Sequence, residues 1–257
     1  MRIAYFDIFS GISGDMTLGA LVDAGVDIGL LRDELAKLPV TGYRLDAKIV
    51  KRSSLRGVKV DVVVEESQPA RKYVDIVAMI EESDLDAEVR QQALEIFRRL
   101  GEAEAHLHNE PLETVHFHEV GAVDSIVDVV GAVIGLHALR IADVMASPIN
   151  VGSGTVRTAH GLLPVPAPAT LELLKGCPSY AGDIRMELTT PTGAAIVTTM
   201  ASRFGPLPLM RVEHIGYGAG GRDFPNAPNL LRLIVGELET EMIAGHHTEH
   251  HHHPHHH

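Results

Sequence analysis

RIAYFDIFSGISGDMTLGALVDAG, residues 2–25, passes within one short stretch from an apolar run through a glycine-rich turn into a helical segment. Arg2 to Asp7 reads as a short buried strand. Ser10-Gly11-Ile12-Ser13-Gly14 supplies the turn, and a helix from about Asp15 to Asp23 is ended by Gly25. Units of strand, loop and helix assemble into α/β sheets.

Moving outward, Tyr43 to Val50 and Val58 to Val64 alternate apolar and polar residues around a turn region at Ser53 to Gly57, which predicts a hairpin with one buried face. Arg71 to Leu100 has helical spacing in two pieces, with Ser83 and Asp84 offering a cap between them. Further on, Val115 to His118 reads as extended, Asp124 to Leu139 as an apolar helix, and Ala142 to Pro148 as extended again. Three prolines make Leu162 to Pro168 an extended segment before a helix at Ala169 to Lys175. Glu187 to Thr190, Pro191-Thr192-Gly193 and a helix through Met200 repeat the opening pattern. Gly216 to Gly221 reads as a glycine-rich loop and Leu230 to Val235 as a closing strand. The expectation is an α/β (mixed α+β) fold, a mixed sheet flanked by helices, forming one domain over 1–240 that can be subdivided near residue 110.

Composition narrows the function. With 34 acidic against 22 basic residues the net charge is −12, which repels nucleic acid and anionic membrane surfaces and favours cations. No apolar h-region precedes Asp7, and stretches such as Val129 to Leu136 are too short to span a bilayer, so no membrane role and a cytoplasmic location are expected. A single cysteine, Cys177, offers no thiolate cluster, so any metal must rest on His, Asp and Glu. Residues 241–257 are expected to be a disordered, histidine-rich tail, readable either as a tag or as a natural metal-collecting segment. Homo-oligomer formation is left open.

The richest chemistry lies in His116-Phe117-His118-Glu119, followed by Asp124 and Asp128. In an extended segment His116 and His118 share a face and can chelate one metal, and on a helix Asp124 and Asp128 also share a face. Asp128 sits among Ile126, Val127, Val129 and Val130, where a carboxylate is costly unless a cation or donors meet it. The bland alternative is two histidines satisfied by backbone carbonyls and two locally paired aspartates. Asp7 and Asp15 bracket the first loop, as hard-cation ligands or a paired general base. Backbone N–H groups of Gly11, Ser13 and Gly14 can hold a phosphate, or the loop is simply a tight turn with Ser13 as helix cap. His160 is a ligand candidate in a polar loop, His137 a satisfied core histidine, and Tyr217, Arg222 and Asp223 candidates for a nucleotide.

FDIFSGISGDMTLGALVDAG, VHFHEVGAVDSIVDVVG, the span from PINVGSGTV to HGLLPVPAPATLELLKG, ELTTPTGAAI and GYGAGGRDFPNAPNLLR, in this order across residues 1–240, resemble the N-terminal portion of the LarC-type nickel-insertion family. The resemblance implies insertion of nickel into pyridinium-3,5-bisthiocarboxylic acid mononucleotide, giving the nickel-pincer nucleotide of lactate racemase-type enzymes. It further implies CTP dependence with manganese or magnesium, and a C-terminal partner domain to which CTP binding is ascribed. On that basis His116, His118 and one or more of Glu119, Asp124 and Asp128 are expected to hold nickel, the Gly11 to Asp15 and Gly216 to Asp223 loops the mononucleotide, and Glu119 or Asp15 released protons. The rivals are a two-cation phosphoesterase, with Asp7, Asp15, His116, His118 and Asp128 as ligands, and a nickel-storage module centred on the tail.

Overall fold

The computed structural model describes residues 1–66, 68, 71–117, 122–158, 160–224 and 227–239. Its opening unit is β1 (Arg2–Asp7) followed by α1 (Gly14–Asp23), with α2 (Ile28–Leu35) behind it. The hairpin follows as β2 (Tyr43–Arg52) and β3 (Leu55–Val64), paired antiparallel over their full length. Then come α3 (Tyr73–Glu81), α4 (Ala87–His108) and α5 (Val123–Ala138). The cap between α3 and α4 is Asp86, whose carboxylate accepts from Glu88 N at 2.9 Å; Ser83 instead donates to Ile80 O at the end of α3. The chain continues through β4 (Asp143–Ala146), β5 (Ile149–Asn150), the ribbon β6 (Thr155–Thr158) and β7 (Gly161–Pro164), α6 (Pro168–Leu173) and β8 (Ser179–Tyr180). It closes with α7 (Pro191–Met200), β9 (Ala201–Phe204), β10 (Met210–Ala219) and β11 (Leu230–Leu238).

Seven strands form one mixed sheet in the order β2-β3-β10-β11-β1-β4-β9, so strands from both sides of residue 110 interleave. β1 runs parallel to β4 and antiparallel to β11. The two-residue period of β1 sends Ala4 and Phe6 into the main core under the helices, and Ile3 and Tyr5 into a small cluster on the other face with Met145 and Ile234. The main core lies between the sheet and helices α1 and α5, with α4 packed on α5, α3 and α7, and burying these apolar faces is the principal favourable term in folding.

The glycines at 216 and 218 lie inside β10, not in a ligand loop. A Cβ at Gly216 would fall 1.9 Å from Ala20 O and one at Gly218 1.7 Å from Met16 O. Only glycine lets α1 settle backbone to backbone on the sheet, and Gly19 meets Val58 O in the same way. Tyr217 is therefore a strand residue, its N–H donating to Asp23 at 2.8 Å.

Candidate functional site

The start of α1, the middle of β3, the start of α5 and the start of α7 surround a cavity of about 380 Å³. Ser13 caps α1, accepting from Met16 N and donating to Asp15. Asp15 turns its other oxygen to Lys59 Nζ at 2.5 Å, and the same ammonium reaches Asp61 at 2.8 Å. Lys59 is 7% exposed. Burial pulls its pKa down, but the charges and hydrogen bonds of Asp15 and Asp61 outweigh that and leave it raised. For Asp61, burial acts upward and is overcome by bonds from Lys59 and Lys48, so its carboxyl is held low.

Asp128 is the exception in this arrangement. Its Oδ1 is sealed from solvent and has no hydrogen-bond partner among the described residues, although part of the residue reaches the cavity. Burial first, then the charges of Asp15 and Asp124, push its carboxyl well above the ordinary carboxylate range, against the pull of Lys59. Gly14 makes room for it: a Cβ there would lie 2.3 Å from Asp128 Oδ2. Asp124, in the first turn of α5, is exposed and bonds the N–H of Ser125 at 2.9 Å. Asp15, Asp61, Asp124, Asp128 and Glu187 thus face one cavity with a single lysine, an arrangement that attracts cations and leaves one acceptor unsatisfied.

A second cavity of about 500 Å³ shares Ser13, Asp15, Glu187 and Thr190 with the first and extends to Arg157, Arg185 and Arg222. The two form one cleft, acidic at one end and cationic at the other. Gly11, at φ +83°, belongs to its frame: a Cβ there would meet Leu188 O at 2.1 Å, so the turn is packed on the chain before α7. Thr190 caps α7 by accepting from Gly193 N at 3.2 Å.

The structure brings Ser13, Gly14, Asp15, Asp124 and Asp128 to the first cavity and Arg222 to the second. It does not bring Asp7, whose carboxylate accepts from Arg232 Nε at 2.9 Å across β1 and β11; Tyr217 lies near the same guanidinium. Asp223 is exposed beside Arg222 without lining either cavity. His160 lies in a separate pocket of about 240 Å³ with Glu104 and His108, its ring centroid 5.0 Å from that of His108. His116 is exposed and pairs through its backbone with Lys72, between the buried Val115 and Phe117. His118 and Glu119 lie outside the described residues, as does the tail from residue 240. His137 Nε2–H donates to Gln92 Oε1, 3.0 Å away. Among the described residues, no group of three or more His, Cys, Asp or Glu side chains is already gathered at metal-binding distance.

Lys59, Asp61, Arg157, Arg185 and Glu187 are site residues that sequence reasoning missed. The signal for two of them was present: Lys59 and Asp61 share a face of VKVDVVV, the face read as solvated.

Fold and cleft define an α/β protein whose cleft is acidic at one end and cationic at the other. The chain belongs to the nickel insertion protein family, whose model matches residues 4–254. It is 57% identical over 241 residues to the pyridinium-3,5-bisthiocarboxylic acid mononucleotide nickel insertion protein of Desulfitobacterium hafniense strain DSM 10664 / DCB-2, covering 94% of this chain and 60% of that one. Its identity to the protein of the same description from Geobacillus kaustophilus is 49% over 247 residues, covering 92% and 60%. A putative nickel insertion protein of Syntrophobacter fumaroxidans is 52% identical over 237 residues, covering 92% and 61%. The chain thus spans about 60% of the length of these relatives. No solved structure matches it. No helix among the described residues is long and apolar enough to cross a membrane.

Proposed function

We propose that this chain inserts nickel into pyridinium-3,5-bisthiocarboxylic acid mononucleotide, forming the nickel-pincer nucleotide used by lactate racemase-type enzymes. The observation that carries this reading is the unpartnered Asp128 carboxylate in a cavity with Asp15 and Asp124. An incoming dication supplies the charge that these groups lack. An insertase must also let its metal go. Carboxylate oxygens hold nickel less well than the softer sulfurs of the acceptor, so transfer runs towards the acceptor. Lys59 weakens the hold further, because its ammonium already engages Asp15. Asp15 and Glu119 are the groups assigned to take up protons released as metal–ligand bonds form.

CTP with manganese or magnesium completes the reaction in this reading. The cytidine nucleotide binds on a partner domain corresponding to the remainder of the relatives' length, and the protein works in the cytoplasm. The two-cation phosphoesterase is less well supported, because Asp7 is engaged by Arg232 and does not line the cavity.

The test is reconstitution. The chain, nickel, the sulfur-bearing mononucleotide and CTP are combined with and without a protein supplying the remaining portion. Mass spectrometry reads the nickel adduct, and apo-lactate racemase its activity. Adduct formed by the parent but not by Asp128→Asn supports the reading. Nickel bound with equal affinity and no adduct under any combination refutes it and favours storage.

A further inference from the structure

The cationic end of the cleft is built from three separated parts of the chain. Arg157 stands on β6, Arg185 on the segment before α7, and Arg222 on the turn after β10, and all three line the 500 Å³ cavity. In a chain of net charge −12, such convergence is not the default surface. Among the described residues none of the three guanidinium groups has an ion pair or a side-chain hydrogen bond, whereas Arg2, Arg44 and Arg98 are ion-paired and Arg32, Arg52, Arg90 and Arg99 donate to backbone carbonyls.

The backbone behind these arginines is fixed. Ser153 N donates to Met186 O at 3.2 Å, and Gly152 pairs with Glu187, tying the approach to β6 to the segment that carries Arg185. On the opposite side Asn229 donates to Arg222 O at 2.8 Å, and Arg52 Nε to Gly220 O at 3.0 Å. Guanidinium groups present paired N–H donors that match phosphate oxygens, and several converging on one cavity are a phosphate-binding device.

We propose that Arg157, Arg185 and Arg222 form the anion subsite of the cleft, holding the phosphate of a pyridinium mononucleotide whose ring points to the Asp15, Asp124 and Asp128 cavity. This assignment rests on the reading of the substrate given above and adds its orientation. Asp15 and Glu187, on the wall common to both cavities, repel a phosphate placed deeper and favour a cationic ring there, so the ligand enters with one polarity. A volume of about 500 Å³ falls in the range of small-molecule sites, roughly 300–1,000 Å³.

The experiment uses nicotinic acid mononucleotide, a sulfur-free pyridinium mononucleotide, with nicotinic acid riboside as its phosphate-free counterpart, titrated calorimetrically into the full chain. The parent is expected to bind the mononucleotide at least about ten-fold more tightly than the riboside, as charge-assisted hydrogen bonds predict. Arg157→Gln and Arg185→Gln should each remove roughly ten-fold of that preference without changing riboside affinity or the circular dichroism spectrum. Arg185→Lys should recover part of it, since charge remains but the fork is lost. Equal affinities for the two ligands, parental mononucleotide binding in both Gln variants, or no binding by the parent overturns the assignment. A cleft that takes CTP through these arginines and ignores the mononucleotide also overturns it. Failure of nickel insertion is separate: phosphate-dependent binding through the arginines can stand when reconstitution yields no adduct.

Discussion

Gly14→Ala tests the wedge between α1 and α5 most directly. A methyl group at position 14 would lie 2.3 Å from Asp128 Oδ2, 2.5 Å from its Cβ and 2.6 Å from its Cγ. Ordinary contact begins about 1 Å further out. The Cβ of Asp128 belongs to a helix surrounded by Ile126, Val127, Val129 and Val130, all at 0% exposure, so it cannot retreat cheaply. Overpacking of this kind costs about 1–3 kcal/mol, and the helix preference for Ala over Gly returns up to about 1 kcal/mol. The net loss is about 1–2 kcal/mol, equivalent to a fall in Tm of roughly 2–8 °C for a chain of this size. Gly29→Ala is the control: its Cβ would stand 3.4 Å or more from its neighbours, on α2, and should leave Tm unchanged or slightly higher. Differential scanning calorimetry without metal reads both variants, and titration with manganese reads the cavity. Manganese affinity should fall in Gly14→Ala because Asp128 is displaced. A Gly14→Ala protein as stable as the parent, with undiminished manganese binding, would refute the placement of Asp128 against α1.

Asp128→Asn should flatten the pH dependence of apo stability. The folded carboxyl of the parent holds its proton more tightly than the unfolded chain does, so its contribution is complete below about pH 3.9 and is lost as pH rises towards the raised folded value; parallel Tm–pH curves for parent and variant would contradict this. Lys59→Met removes the ammonium between Asp15 and Asp61, so the metal-free Tm should fall while the rise on adding manganese grows, as paired melting curves will show. Asp7→Asn should cost about 1 kcal/mol through the lost Arg232 pair and leave manganese affinity at the parental value; a ten-fold loss of affinity would return Asp7 to the cation site.

The opening strand, turn and helix were legible because each has its own local signal: an apolar run, glycines and the Ser13 cap. The apolar helix around Asp128 was legible for the same reason, and with it the cost of that carboxylate. The cap of α4 was misplaced because Ser83, Asp84 and Asp86 all have capping chemistry, and only the backbone path selects Asp86. The segment at 216–221 misled because glycines that permit close packing have the same composition as glycines that form a loop. Arg157, Arg185 and Glu187 escaped notice because the cleft assembles them from distant parts of the chain and nothing in their local sequence marks them as ligands, while Lys59 stood on a strand face read as solvated.

The three glycines under α1 also set a dimension. Gly19 rests on the carbonyl of Val58, and Gly216 and Gly218 on those of Ala20 and Met16, so main-chain atoms and not side-chain volumes fix the spacing of helix and sheet. Asp15 stands on that helix, with Lys59 and Asp61 on the neighbouring strand. The width of the acidic mouth is therefore gauged by the invariant dimensions of the polypeptide itself. A single methyl group added at position 19 or 218 would meet the carbonyl of Val58 or Met16, lift α1 from the sheet and change that bore at once.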